Sequence, residues 1–300
     1  MRVMRVMAVA AALFFILFLR GGGLAYAFSP GPGNPVADPG AGGRGFTIMG
    51  AYDGSYLYYE EKDTAGDILD RDYGYLNGLD IEARFESGIL WTRLTADYSW
   101  SHGATYDGAV CGDGGLCTPA KFSTPERFDL YEGDLGFKLL NVEAGTLAPY
   151  VGIGRRVWWR GEDVSPDYIE KYSWYFAAIG LNYVCRIERW TAGADVAVDI
   201  PFNMRMTTNE AGNWDETNFK LRSNPAVVVQ LPITYDIYER YVNADRVFVF
   251  LTPYYQHWAI GASDLVNVTK NGVTVAGSPY YEPDSTTNIY GARIGVGVNF

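Results

Sequence analysis

Only two histidines occur in the 300 residues, His102 and His257, so any histidine-driven proton transfer must use one of them. A histidine base works when an acid orients it at hydrogen-bond distance, and Asp97, Asp107 and Asp264 are the carboxylates a fold could bring there. Ser101 or Ser263 would add the nucleophile of a Ser-His-acid lipid deacylase. Each combination needs separate loops to meet, so no catalytic residue is assigned. His257 sits in Tyr254-Tyr-Gln-His-Trp258, and a histidine among aromatics reads first as an interfacial hydrogen-bonding residue.

A larger set of reactive side chains is defined by alternation. Leu79, Ile81, Ala83 and Phe85 share one face of an extended segment, while Asp80, Glu82, Arg84 and Glu86 share the other. The next segment opposes Leu90, Leu94, Ala96, Tyr98 and Trp100 to Trp91, Arg93, Thr95, Asp97 and Ser99. Further along, Ala192, Ala194, Val196, Val198 and Ile200 oppose Asp195 and Asp199. A cation facing lipid at mid-bilayer costs about 2–4 kcal/mol, so the charged faces must look into a lumen. The expected lumen set is Asp80, Glu82, Arg84, Glu86, Arg93, Asp97, Glu132, Asp134, Lys138, Asp195, Asp199 and Arg293. Such a set either lines a selective aqueous pore or pairs into a network that fills a narrow barrel.

These faces require strands. Ten segments with a period of two lie near 45–61, 74–87, 89–101, 126–140, 147–160, 172–185, 189–206, 222–238, 245–261 and 286–300. The gaps between them alternate long and short, as in an even-stranded up-and-down barrel with tight periplasmic turns and long outer loops. The expected fold class is therefore all-β, an antiparallel up-and-down transmembrane β-barrel of about ten strands with both termini periplasmic. About eight strands just enclose their side chains whereas porins of 16–18 leave a channel, which favours the filled interior over a small solute porin. Arg155-Arg156-Val-Trp-Trp159 breaks the fifth segment's alternation and implies a bulge there or a strand that has already left the hydrocarbon.

The last strand carries Tyr290, Ala292, Ile294, Val296, Val298 and Phe300 on one face and Gly291, Arg293, Gly295, Gly297 and Asn299 on the other. Its aromatic end at Phe300 resembles the sorting signal of bacterial outer-membrane barrels, which implies the barrel-assembly machinery as a partner during biogenesis. A ten-stranded barrel with long surface loops also resembles the omptin-like superfamily. That resemblance implies an outer-membrane hydrolase, a protease or lipid-modifying enzyme, with Asp and Asp-His pairs at the extracellular rim. The catalytic motif is not matched, because no aspartate stands two residues before His257, and His102 lies between Ser101 and Gly103.

Residues 1–27 read as a cleaved signal peptide, with a basic start, an apolar run from Val6 to Leu19 and Ala25-Tyr-Ala27 as the cleavage site. Residues 28–44 read as a Pro/Gly-rich disordered linker, and 45–300 as the barrel. The 24 basic residues less the three arginines of the leader leave 21 against 35 acidic, a net of −14. That balance excludes a nucleic-acid footprint. Cys111 and Cys117 bracket a flexible loop and are the expected disulfide, and Cys185 is left unpaired near a strand end. The outer loops, with Asp63, Asp67, Asp70, Asp72, Glu162, Asp163, Asp167, Glu170, Glu210, Asp215, Glu216, Asp264, Glu282 and Asp284, read as solvated and mutually repelling. No metal site and no cofactor is expected. Arg155, Arg156, Arg160 and Lys171 form a candidate contact for lipopolysaccharide phosphates, with Trp158, Trp159 and Trp174 as interfacial anchors. The chain is read as a monomeric bacterial outer-membrane surface barrel with a structural or binding role and limited solute passage.

Overall fold

The computed structural model describes residues 44–111, 117–142, 145–161, 170–208, 214–241 and 244–300. The expected leader, and the linker as far as residue 43, lie outside them. The described residues form a closed antiparallel β-barrel. Its strands are β1 (Arg44–Lys62), β2 (Ile68–Ser87), β3 (Leu90–Cys111), β4 (Cys117–Phe137) and β5 (Gly145–Arg160). They continue as β6 (Glu170–Ile187), β7 (Trp190–Thr208), an interrupted β8, β9 (Ala244–Gly261) and β10 (Asp284–Asn299). Each strand pairs with its chain neighbours, and β10 closes the wall by pairing with both β9 and β1.

The eighth segment is not the continuous strand that alternation predicts. It consists of Arg222–Ser223, Ala226–Gln230 and Ile233–Tyr241, broken beside Pro225 and Pro232. A proline has no N–H to give to the ladder, so each forces an interruption. The fifth strand is more regular than its sequence suggests, since β5 holds an unbroken register with β4 and with β6. There is no bulge at Arg155–Trp159. The nearest irregularity lies between Ser173 and Tyr175, opposite Asn203, which adopts φ 53°.

The outer face defines the membrane belt. Leu79, Ile81, Leu135, Val151, Ile153, Ile179, Ile294 and Val296 are all more than half exposed although large and apolar. Aligned tyrosines bound the belt above: Tyr56 pairs with Tyr75 and Tyr290, and Tyr290 with Tyr255. Phe46, Phe85 and Phe300 bound it below, with the Phe46 and Phe300 rings stacked at 6.4 Å. From Phe46 to Tyr56 is about eleven residues, the length a tilted strand needs to cross hydrocarbon. The strands continue well above this belt. Consequently the expected outer loop 102–125 is largely the upper part of the β3–β4 hairpin, which stays paired up to Cys111 opposite Cys117.

Glycines on the lumen face receive aromatic rings from the adjacent strand. Trp91 pairs with Gly136, Phe176 with Gly154, Tyr150 with Gly180 and Phe248 with Gly297. A Cβ on Gly154 or Gly180 would stand 2.1 Å from the opposing ring. The glycine face of β10 is thus a set of seats for Phe248, Phe250 and Tyr254, and this packing fills the barrel from within.

Candidate functional site

Inward side chains form successive layers along the barrel axis. Nearest the periplasmic turns, Glu86 pairs with Arg84 at 2.9 Å and with Lys138 at 2.7 Å. Above them Arg93 leaves β3 and reaches Asp134 on the neighbouring strand at 2.7 Å and Asp195 on β7 at 2.9 Å. Tyr150 and Asn182 donate to the same Asp195 at 2.5 and 3.2 Å. Trp91 and Tyr150 lie against the Arg93 guanidinium, 5.8 and 5.2 Å from their ring centres. One arginine therefore ties opposite walls together.

The next layer holds two further arginines. Arg293 donates to Gln230 at 3.1 Å and stands 3.7 to 3.9 Å from Asp53, Asp80 and Asp97. Tyr254 donates to Asp53 and Ser99 to Asp97. Arg156 crosses from β5 to Gln256 on β9 with two contacts of 3.0 Å and stacks 4.2 Å above Trp258. A cavity of about 20 Å³ lies between these layers, against Glu82, Arg93, Glu132, Arg156, Asp199 and Arg293. A water needs about 10–15 Å³ by this measure, so the cavity has room for about one.

The outer half of the lumen is aromatic. Phe128, Trp158, Tyr172, Trp174, Phe176 and Trp258 are buried there with Met204 and Met206. Trp158 stacks on Phe128 and Tyr172 at 5.3 and 4.8 Å and meets Tyr59 edge-on at 5.0 Å.

Above this layer sits a buried cluster that alternation alone did not reveal. Arg160 contacts Asp72 at 2.6 Å, Glu170 at 2.7 Å, Glu61 at 3.0 Å and Asp70 at 3.8 Å. Glu126 accepts from Trp158 at 2.5 Å, and Tyr59 donates to Glu61. The Tyr172 hydroxyl contacts Glu170 at 3.1 Å and also Glu282. Four carboxylates thus contact one guanidinium, with Glu126 and Glu282 buried beside them. Burial, and then the neighbouring Glu61, push Asp70 up to about 9. Burial, with Glu61 and Glu170, also raises Glu282 well above its ordinary value, against the opposing pull of Arg160. Among the described residues, no group of three or more His, Cys, Asp or Glu side chains is arranged to hold a metal ion.

Two expectations are corrected here. Asp70, Asp72, Glu170 and Glu282 are not solvated loop charges; the first three pack inward because β2 and β6 extend above the membrane and keep alternating, and Glu282 is carried in by the last connection to meet Tyr172. Arg156 and Arg160 do not face the lipid interface either, being 6 % and 4 % exposed in the lumen. Strand parity explains the split: Val151, Ile153, Arg155 and Trp159 share the outer face, so Arg156 and Arg160 must share the inner one. Arg155 lies 5.7 Å from the Tyr175 ring on the outer wall, and Lys171 and Arg127 flank Trp159 at 5.6 and 3.7 Å. Arg127 lies in the expected segment 126–140, but its place beside Trp159 follows only from the cross-strand register with β5. Glu162, Asp163, Asp167 and Glu210 lie outside the described residues.

Among the described residues, neither histidine is hydrogen-bonded to or ion-paired with an acid. His257 points outward from β9 and bonds Asn288 at 3.0 Å, beside Tyr255. The exposed His102 accepts from Ser123 through its backbone carbonyl. Cys117 is disulfide-bonded and Cys185 is free.

No protein-family model matches the sequence, and no curated protein does. Solved structures match instead. The outer membrane protease OmpT from Escherichia coli aligns over 86 % of this chain and 96 % of its own, at 10 % identity and TM-score 0.56. The outer membrane protein OprG from Pseudomonas aeruginosa covers 87 % and 98 % at 10 % identity and TM-score 0.32. Neisserial surface protein A covers 85 % and 97 % at 10 % identity and TM-score 0.27. At this identity the OmpT likeness concerns the fold, which is that of a bacterial outer-membrane β-barrel.

Proposed function

We propose that this outer-membrane barrel is a plugged surface scaffold with a binding or structural role, and not a solute pore. The observation that carries the reading is the pair of crossings made by Arg93 to Asp195 and by Arg156 to Gln256, both at 3.0 Å or less. Buried charges are tolerated when paired, and pairing across the axis occupies the space an aqueous channel would need. The aromatic layer above closes the outer half in the same way. The hydrolase reading draws less support, because His257 is engaged by an amide and points toward the membrane side of the wall.

The functional surface is then the outer wall and mouth. Arg155 and Lys171, joined by Arg127, sit beside Trp159 and Tyr175 at the level where lipid headgroups meet the belt. These cations suit the phosphates of lipopolysaccharide, as charge-assisted contacts anchored on aromatic rings. The barrel acts as a monomer and uses the barrel-assembly machinery to insert. Liposomes carrying the purified barrel should swell no faster in isotonic small sugars than empty liposomes. Barrel-dependent sugar uptake would place the chain among porins.

A further inference from the structure

The last long connection, residues 262–283, is folded. Val266 bridges Tyr280, and a short hairpin pairs Thr269–Lys270 with Val273–Thr274. Val268 is fully buried against the outer aromatic cluster, and Tyr280 meets Trp214 at 4.8 Å. The segment is therefore seated over the mouth; beside an exposed Asp264–Arg222 pair at 3.6 Å, two polar points of opposite character hold it.

At one point Glu282 enters the Arg160 cluster. Tyr172 has a single phenolic proton, yet its oxygen is in hydrogen-bond contact with both Glu170 and Glu282. Glu170 is also held by Arg160 at 2.7 Å, whereas Glu282 meets the cluster through Tyr172. The remaining hydrogen bond needs a proton on Glu282, donated to Tyr172. Facing Glu282 are Tyr172 and Glu170 from β6, Glu61 and Tyr59 from β1, and Arg160 from β5. Beyond them stand Asp70 and Asp72 from β2 and Glu126 from β4. An ionised Glu282 would meet five carboxylates and one shared guanidinium. At the other point, exposed Asp215 accepts from the Thr269 hydroxyl at 2.8 Å and from the Asn271 and Gly272 amides, both at 3.1 Å. Three donors aimed at one carboxylate, with Lys270 nearby, favour its ionised form.

We propose that residues 262–283 are a pH-gated lid, latched by protonated Glu282 and ionised Asp215, firmest at weakly acidic pH and released as pH rises. The signs follow from linkage. Glu282 is raised in the closed state, so its contribution is whole below the ordinary glutamate value of 4.5 and is lost as pH climbs toward the closed-state value. Asp215 is lowered, chiefly by the Gly272 amide, so its contribution is present above the ordinary 3.8 and is lost as pH falls further. Between the open and closed values of one group, each pH unit changes closure about tenfold.

The test is amide hydrogen exchange of residues 262–283 in reconstituted barrel from about pH 3 to pH 9, corrected for intrinsic exchange. Protection should peak at weakly acidic pH and fall roughly tenfold or more by pH 9. Glu282→Gln keeps the hydrogen bond without a titrating group and should flatten the alkaline fall to under about threefold. Asp215→Asn should lower protection at neutral pH and remove the acidic fall. Wild-type protection that is constant from pH 5 to 9, or a Glu282→Gln profile as steep as the wild type, would overturn the latch. Neither outcome depends on whether the barrel conducts.

Discussion

Removing Arg93 should cost more stability than any exposed charge in the molecule. Its guanidinium neutralises Asp134 and Asp195, whose side chains are 0 % and 4 % exposed. Truncation to alanine leaves both carboxylates buried without a cation, a loss of about 3–5 kcal/mol. Asp195 keeps Tyr150 and Asn182 as donors, so the larger share falls on Asp134, whose second oxygen already lacks a partner. Urea unfolding in phospholipid vesicles, followed by tryptophan fluorescence, measures the difference. Adding Asp134→Asn to Arg93→Ala should restore at least about 1 kcal/mol, because it deletes the orphaned charge rather than a contact. A loss under about 1 kcal/mol for Arg93→Ala, or no recovery in the double variant, would refute the paired, weakly screened lumen.

Gly154→Ala should destabilise the barrel by about 1–3 kcal/mol in the same assay, since the new methyl meets the Phe176 ring at 2.1 Å. Phe300→Ala, which removes the ring stacked on Phe46 where the wall closes, should lower the heat-modifiable outer-membrane fraction without blocking export across the inner membrane. Mass spectrometry of non-reduced protein should link Cys111 to Cys117 and find Cys185 alkylatable, as expected of a free thiol. Replacing Arg155 and Lys171 with glutamine should weaken retention of lipopolysaccharide, with little effect on unfolding because both side chains lie outside the core.

The fold was legible because lipid imposes period two on every strand: Leu79, Ile81 and Phe85 outward fix Asp80, Glu82 and Arg84 inward without knowledge of neighbours. The same parity placed Arg93, Asp195 and Arg293 in one lumen. It was misapplied at Arg155 and Arg156, where adjacency suggested a shared interface although adjacent strand residues face opposite sides. The Arg160 cluster was not legible, because its acids come from β1, β2, β4, β6 and the last connection. Only strand stagger, set by closure of the whole barrel, brings them to one height. The seats on Gly136, Gly154 and Gly297 were hidden for the same reason, as each is defined by a cross-strand partner. Pro225 and Pro232 did announce the breaks in β8, but the strong Val227–Val229 run masked them.

The central claim is that paired side chains and aromatic rings close the lumen. Single-barrel recordings in planar bilayers test it most directly. In concentrated salt, at neutral pH and equally at alkaline pH where the lid is released, the account predicts a baseline with at most brief, small openings, because the Arg93 and Arg293 layers lie below the lid. A steady, porin-like conductance from the unmutated protein would contradict it.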